Sequence, residues 1–250
     1  MDDIHGVGES QGIPAQDNSG DLLKFIGRRV RVNLLSLFSL GVLFFVVAGT
    51  LEVIGFWLYA GTVLAYQIIS LLILVPRYPA YVELARIRKI HRTDVKDWDR
   101  LIIRVLLVAT SLMYGLAALD LGRLHLGILP LWIVPVGVLF YAAGSALNQW
   151  AMIHNPHFEK EVRIQTDRAH QVIAAGPYRI VRHPGYLGSL LGYVSFPLIL
   201  GSALAFFGVI FCIGGTVART YFEDRTLCRE LDGYRAYARM VPYRLIPFIW

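Results

Sequence analysis

Residues 186–220 read YLGSLLGYVSFPLILGSALAFFGVIFCIGGTVART, and this stretch decides the fold. It is apolar almost throughout and too long for one ordinary membrane helix, which needs about 20 residues. Pro197 and Gly201 fall at its middle. Proline breaks or kinks a helix, and glycine commonly ends one. The stretch therefore predicts two shorter helices, about 186–200 and 202–220, folded as a tight hairpin.

Four more apolar runs lie upstream, at 32–51, 53–75, 101–119 and 126–150. Glu52 separates the first two and Pro76 stops the second. Each is long enough to cross a bilayer. The expected fold class is an all-α integral membrane protein of about six transmembrane helices, with both termini on one side. Three regions follow: a polar tail and basic juxtamembrane segment at 1–31, a four-helix membrane region at 32–150, and a loop-rich region at 151–250 that contains the hairpin.

Charge placement supports this topology. Of the 24 Lys and Arg, 21 fall in segments 1–31, 77–100, 151–185 and 221–250, which six spans put on one face. Arg104 and Arg219 sit near same-side helix ends, where long basic side chains can snorkel. Only Arg123 belongs to an opposite loop. Basic loops face the cytoplasm, so both termini are expected there. The net charge of +6 then reflects topology, and no nucleic-acid partner is called for.

Composition agrees. Hydrophobic residues make up 56% and charged residues 17% of the chain, and mean hydropathy is +0.53. Soluble domains carry about 25% charged residues. The values exclude a disordered chain and argue against an ordinary soluble domain. Two cysteines, Cys212 in an apolar run and Cys228 in a charged tail, exclude a disulfide scaffold. Residues 1–20 lack the basic-then-apolar pattern of a signal peptide. Their GVGESQG run follows no strand and reads as a tail.

Chemistry-bearing residues concentrate in two clusters. The first runs from His170 through Gly176-Pro177-Tyr178-Arg179 to Arg182-His183-Pro184-Gly185-Tyr186-Leu187-Gly188. Pro184 or Gly185 suits the first turn of the next helix. The free N–H groups of that end favour an anion, and the glycines permit close approach. Arg and Tyr at a helix entrance also serve as plain interfacial anchors, and Gly188 and Gly192 also suit helix packing. The second cluster holds Arg219, Glu223-Asp224, Leu227, Tyr234, Tyr237 and Pro242 to Pro247. Acids at a helix exit oppose its dipole, so Glu223 and Asp224 call for a functional or charge-paired role. Arg219 and Glu223 also fit a surface i,i+4 pair. Tyr234, Tyr237 and Phe248-Ile-Trp250 also fit interfacial aromatics.

His154-Asn-Pro-His157, His170, His183 and Cys228 lack any standard zinc spacing, so no metal is expected. There is no phosphate-binding loop motif, no nucleophile elbow and no GxGxxG. Glu52 and Asp120 sit at helix ends and need no function. No acid or base lies deep in a span, which argues against an ion pathway.

These two clusters together resemble the isoprenylcysteine carboxyl methyltransferase family and its phospholipid N-methyltransferase-like relatives. The family pattern is a His, an apolar strand-like run, Gly-Pro-Tyr, Arg-His-Pro-x-Tyr-x-Gly, a helical hairpin, an acidic pair, a Leu, Tyr-x-x-Tyr and a Pro-rich end. Residues 160–250 carry it. The family's acidic pair is Glu-Glu, and here the second acid is the shorter Asp224. The resemblance implies S-adenosylmethionine (SAM) as methyl donor at the cytoplasmic membrane face. It implies a cofactor pocket of His170, Gln171, Val172, Ile173, Ala174, Gly176, Tyr178, Arg182, His183, Pro184, Tyr186, Leu187, Gly188, Glu223, Tyr234 and Tyr237. Glu223, His183 and Arg219 are the implied catalytic set.

The residue chemistry is compatible. Arg and His at a helix entrance suit the SAM carboxylate, Glu223 its ammonium or a hydroxyl, and tyrosines its adenine and sulfonium. The expected partners are membrane lipids and a lipophilic acceptor. A prenylcysteine carboxylate, a phospholipid amine and a small thiol stay open, as does oligomeric state. The expected membrane is the bacterial inner membrane, or the endoplasmic reticulum in a eukaryote. A non-enzymatic sensor or assembly protein on the same fold is the competing reading, and a small transporter a more distant one.

Overall fold

A computed structural model describes residues 19–77, 95–159 and 161–250. Its long helices are α1 (Ser19–Ala48), α2 (Ile54–Arg77), α3 (Asp97–Leu119), α4 (Val134–His154), α5 (Pro184–Leu200) and α6 (Phe206–Glu230), followed by the short α7 (Tyr234–Met240). Among the described residues there is no strand, and one isolated bridge joins Ile128 to Ser202. The all-helical class agrees with the sequence.

Among the described residues four helical segments, Ile26–Ala48, Ile54–Leu72, Asp97–Leu124 and Leu131–His154, are long and apolar enough to cross a membrane. Six spans were expected. Of the other two helices, α5 has only 17 residues, and α6 ends in the charged sequence Tyr221-Phe-Glu-Asp-Arg-Thr-Leu-Cys-Arg-Glu230. The first membrane run was expected to follow a tail at 1–31. Helix α1 already begins at Ser19, so 19–31 is helical, and 1–18 lie outside the described residues. So do residues 78–94 of the expected basic segment 77–100.

Other boundaries differ from expectation too. The fourth helix begins at Val134 rather than near residue 126, because Pro130 holds an extended backbone and a short 3-10 turn precedes Val134. The sixth helix continues to Glu230 rather than ending near residue 220, so Glu223 and Asp224 lie inside it. The break of the hairpin falls where expected, although its second helix starts at Phe206 rather than near residue 202: α5 ends on Gly201 at φ 84°, a left-handed conformation that glycine adopts without steric cost. The turn is tied to the loop after α3. Ser202 donates to the buried Asp120 carboxylate at 2.5 Å, and Asp120 also accepts the Leu126 and Gly127 N–H groups. Asp120 is thus structural.

Helices α4 and α5 meet along small residues. A Cβ at Gly188 would stand 2.6 Å from the Gly144 carbonyl oxygen and from Asn148 Nδ2, so side chains there must be absent for the backbones to approach. Phe44, Phe56, Met113, Phe196, Leu200 and Val209 form one apolar core among α1, α2, α3, α5 and α6. A second core, with Ala151, Tyr178, Leu227, Leu231, Tyr234 and Tyr237, sits at the end where α4, α6 and α7 meet the 155–183 segment. The site lies at this second core.

Candidate active site

Pro156 ends α4 shortly after His154, and the chain then wraps back in irregular form to His183, which precedes Pro184 at the start of α5. That path brings residues 155–173 opposite the end of α6. Between them is a cavity lined by His170, Gln171, Val172, Ile173, Tyr178, Arg182, His183, Tyr186, Glu223, Tyr234 and Tyr237 from the two sequence clusters. Residues 170–186 and 223–237 are far apart in sequence and meet here.

Not all expected pocket residues join them. Ala174 is exposed, and Gly176 is packed on the His154 ring. Pro184 is the buried first residue of α5. Leu187 and Gly188 are rotated off the wall by the helical turn, Gly188 facing α4. Arg219 sits behind Tyr186, its guanidinium 5.3 Å from that ring's centroid. It forks onto Asp99 of α3 at 2.7 and 3.2 Å, so it is not the exposed surface pair that i,i+4 spacing allowed.

The acidic pair divides its work. Glu223 lines the cavity and accepts a hydrogen bond from the Tyr186 hydroxyl. Asp224 is 3% exposed and is the hub of a buried network. It receives Arg182 Nη1 at 2.9 Å, Arg244 Nε at 2.8 Å and the Tyr234 hydroxyl at 3.0 Å, with His183 Nε2 at 3.4 Å. Burial alone would raise its pKa. The hydrogen bond and charge of His183, then Arg244 and Arg182, outweigh that and hold it at about 2, below the ordinary 3.8. Burial, then the Asp224 and Glu223 charges, push the Tyr234 hydroxyl far up, so it stays protonated and can donate.

His183 is buried between the two acids, with Nδ1 3.9 Å from Glu223 and Nε2 toward Asp224. Its ring stacks on Tyr186 at 5.8 Å and 15°. Tyr237 donates to the Tyr178 carbonyl at 2.7 Å. Tyr234 and Tyr237 are 4% and 3% exposed, which overturns the interfacial-aromatic alternative for them.

The 155–165 wall was missed from sequence. It contributes Asn155, His157, Phe158, Val162 and Gln165 to the cavity. Arg163 holds it together, binding Glu159 at 2.8 Å and Asp167 at 2.7 Å. The available signal was its density of His, Glu and Arg. His157 and His170, weighed for zinc, instead pack ring against ring, tilted by 37° with centroids 4.5 Å apart. Among the described residues no group of three His, Cys, Asp or Glu is placed to hold a metal. Both cysteines are free thiols.

Comparison with known proteins finds a likeness for part of the chain. Residues 137–229 match the isoprenylcysteine carboxyl methyltransferase (ICMT) family model; this region, which contains α5, most of α4 and α6, and both sequence clusters up to Glu223-Asp224, is ICMT-like. Protein-S-isoprenylcysteine O-methyltransferase B of Arabidopsis thaliana is 30% identical over 124 residues, 47% of this chain and 61% of the relative. The Delta(14)-sterol reductase TM7SF2 of Mus musculus is 33% identical over 91 residues, 35% of this chain and 22% of that protein. The Delta(14)-sterol reductase of Methylotuvimicrobium alcaliphilum is 25% identical over 139 residues, 50% of this chain and 33% of that protein. The chain thus spans a third or less of those two reductases and about three-fifths of the plant methyltransferase.

Proposed function

We propose that this chain is an integral membrane SAM-dependent methyltransferase whose acceptor is lipophilic and reaches the site from the bilayer. The carrying observation is that the ICMT-like region places Arg182, His183 and Tyr186 of one cluster and Glu223 of the other around one cavity at the end of a bundle of apolar helices. In this reading α5 and α6 cross the membrane as a hairpin, giving six spans, and the cavity faces the cytoplasm with the basic segments.

The residues present fit SAM. Arg182 donates two nitrogens to Asp224 and the Pro242 carbonyl, and its Nε is the one buried side-chain polar atom without a partner among the described residues. Val172 and Ile173 line the cavity and make no backbone hydrogen bond among the described residues. Unpaired main-chain groups of this kind are donors and acceptors in search of partners, and a nucleobase edge supplies them. Arg182 would hold the carboxylate, Glu223 the ammonium or a ribose hydroxyl, and Tyr178 with Val172 and Ile173 the adenine. When bound, SAM supplies a methyl group on a sulfonium.

The protein's own contribution is alignment and exclusion of water, because in-line displacement depends on orientation. Tyr186 fixes the Glu223 carboxylate and His183 braces Tyr186. A carboxylate acceptor needs no base. For a thiol or amine acceptor, Glu223 or His183 takes the proton. A prenylated cysteine carboxylate is the acceptor closest to the name of the Arabidopsis relative; a phospholipid amine or a small thiol would use the same site.

The test is calorimetric titration of SAM into detergent-purified protein, with methyl transfer from radiolabelled SAM to N-acetyl-S-farnesylcysteine and to a membrane lipid extract. Binding by wild type that is lost in His183→Ala and Glu223→Ala supports the reading. Absence of heat with wild type, or equal binding by the variants, overturns the site.

A second reading has its own observation, the matches to two sterol reductases. A reductase of a lipophilic substrate would use the same membrane-edge cavity with a hydride donor. Oxidation of a reduced nicotinamide cofactor on addition of a Δ14-sterol, without methyl transfer, would favour it.

A further inference from the structure

The first turn of α3 carries Asp97 and Asp99, two residues apart and with opposite fates. The Asp97 side chain is 94% exposed and that of Asp99 is 0%. A carboxylate is costly to bury unless its oxygens are fully used. Those of Asp99 are: one takes Arg219 Nε at 2.7 Å, the other takes Arg219 Nη2 at 3.2 Å and the Val162 N–H at 2.8 Å. The Val162 carbonyl in turn accepts the Lys96 N–H at 3.2 Å. One carboxylate thus fastens α6 and the 155–165 wall to α3.

On its other side Arg219 lies over Tyr186, and Tyr186 donates to Glu223. The contacts run Asp99, Arg219, Tyr186, Glu223. Only the last three fall within the ICMT-like region; Asp99 lies outside residues 137–229.

Helix docking does not call for this pair. The Lys96–Glu230 ion pair at 2.7 Å and the Trp98–Phe222 ring contact at 5.4 Å already join α3 to α6. A buried ion pair is also a poor way to gain stability, since desolvation offsets much of its attraction. What a forked carboxylate–guanidinium pair supplies is orientation.

We propose that Asp99 is a positioning residue for the reaction: it sets Arg219 under Tyr186, and so the aim of Glu223, while holding Val162 on the opposite wall. This rests on the methyltransferase reading. Asp99 touches neither donor nor acceptor. Its loss mis-aims Glu223 but removes no cavity-lining group, and the Val172, Ile173 and Tyr178 walls stay in place; turnover, which depends on alignment, therefore falls more than donor affinity, which weakens only at the Glu223 contact.

The test uses the full chain in detergent, comparing wild type, Asp99→Asn, Asp99→Glu and Arg219→Lys. Transfer from radiolabelled SAM to N-acetyl-S-farnesylcysteine and to a membrane lipid extract gives kcat and the KM for SAM; melting gives Tm. Misplacement of a reacting group by an ångström costs up to about 100-fold. The expected result for Asp99→Asn is a kcat lower by about tenfold or more with KM for SAM within about threefold. Asp99→Glu, which keeps the charge, recovers part of the loss. A folded Asp99→Asn with kcat within about twofold of wild type, or a loss seen only in KM, overturns the proposal. If Asp99→Asn does not fold, Asp99→Glu and Arg219→Lys decide: wild-type kcat in both overturns it, and a kcat loss at unchanged Tm supports it. A wild type that neither binds SAM nor transfers methyl groups ends the methyltransferase reading and this inference with it, whereas an active wild type with indifferent variants ends only the latter.

Discussion

Arg182, just ahead of α5, and Asp224, inside α6, form a buried ion pair at 2.9 Å, with side chains 7% and 4% exposed. Arg244, from the segment after α7, reaches the same carboxylate, and the Arg182 and His183 N–H groups donate to the Tyr243 and Arg244 carbonyls. Asp224 therefore gathers three parts of the chain around the cavity without lining it. The shorter second acid suits this role, because it ends close to its own helix and leaves Glu223 to face the cavity.

Removal of Asp224 strands the buried Arg182 guanidinium and Tyr234 hydroxyl, and leaves the partly exposed Arg244 without this partner. Breaking a buried pair by deleting one partner costs about 3–5 kcal/mol. Asp224→Ala should show a large fall in melting temperature in detergent, and Asp224→Asn a smaller one. An unchanged midpoint in both would show that the network contributes nothing to stability.

The same carboxylate sets an acid limit. Its pKa is about 2 when folded against an ordinary 3.8. A depressed carboxylate pKa contributes stability that is complete above the unfolded value and is lost as pH falls through the folded one. Wild-type melting temperature should drop between about pH 4 and pH 2. Asp224→Asn should be less stable at neutral pH and flatter across that window. Parallel curves for the two proteins would contradict this assignment.

Glu223 makes a different prediction, because it faces the cavity. On the methyltransferase reading, Glu223→Gln should lower transfer to a thiol or amine acceptor by about 100-fold, and transfer to a carboxylate acceptor by less, with little change in melting temperature. Tyr186→Phe should lower it less. The double variant should fall short of the summed losses, since the two groups share one hydrogen bond. Additive losses would indicate that Tyr186 acts without Glu223.

Helix packing is tested by two glycines on α5. A Cβ at Gly188 meets the α4 backbone at 2.6 Å, whereas nothing lies within 4 Å of one at Gly192. Overpacking costs about 1–3 kcal/mol, so Gly188→Ala should destabilise the protein. Gly192→Ala should be neutral or slightly stabilising, as alanine favours helix. The reverse order would mean that α5 packs through its other face.

Much of the helical order was legible in sequence because apolar length and glycine or proline breaks are local signals. Gly201 ended α5 where the pattern required. The start of α4 was not legible from hydropathy, since residues 126–133 are as apolar as the helix they precede; only Pro130 marked the difference. In the site, the two clusters were visible through unusual residue types, but their burial was not. Tyr234 at a membrane edge reads as an anchor until Asp224 is seen to accept its hydroxyl. Asp99 was invisible for a similar reason. It shares a turn with the exposed Asp97, and its partner Arg219 is 120 residues away, so no local pattern tells the two acids apart.

The length of α5 has a physical consequence for the surroundings. Seventeen residues rise about 26 Å at 1.5 Å each, short of the roughly 30 Å hydrocarbon layer. In the six-span reading, the turn that follows lies within the lipid, where unpaired polar groups are costly. Its Ser202 hydroxyl and Ala203 N–H donate to Asp120 and to the Gly127 carbonyl, and its Gly201 carbonyl accepts the Leu129 N–H. In that reading α5 is mismatched to the hydrocarbon layer, and a bilayer thinner around α5 than around the 23-residue span of α1 would relieve the mismatch. Acyl-chain length in the host membrane then becomes a control on how the cavity at the head of α5 meets the lipid.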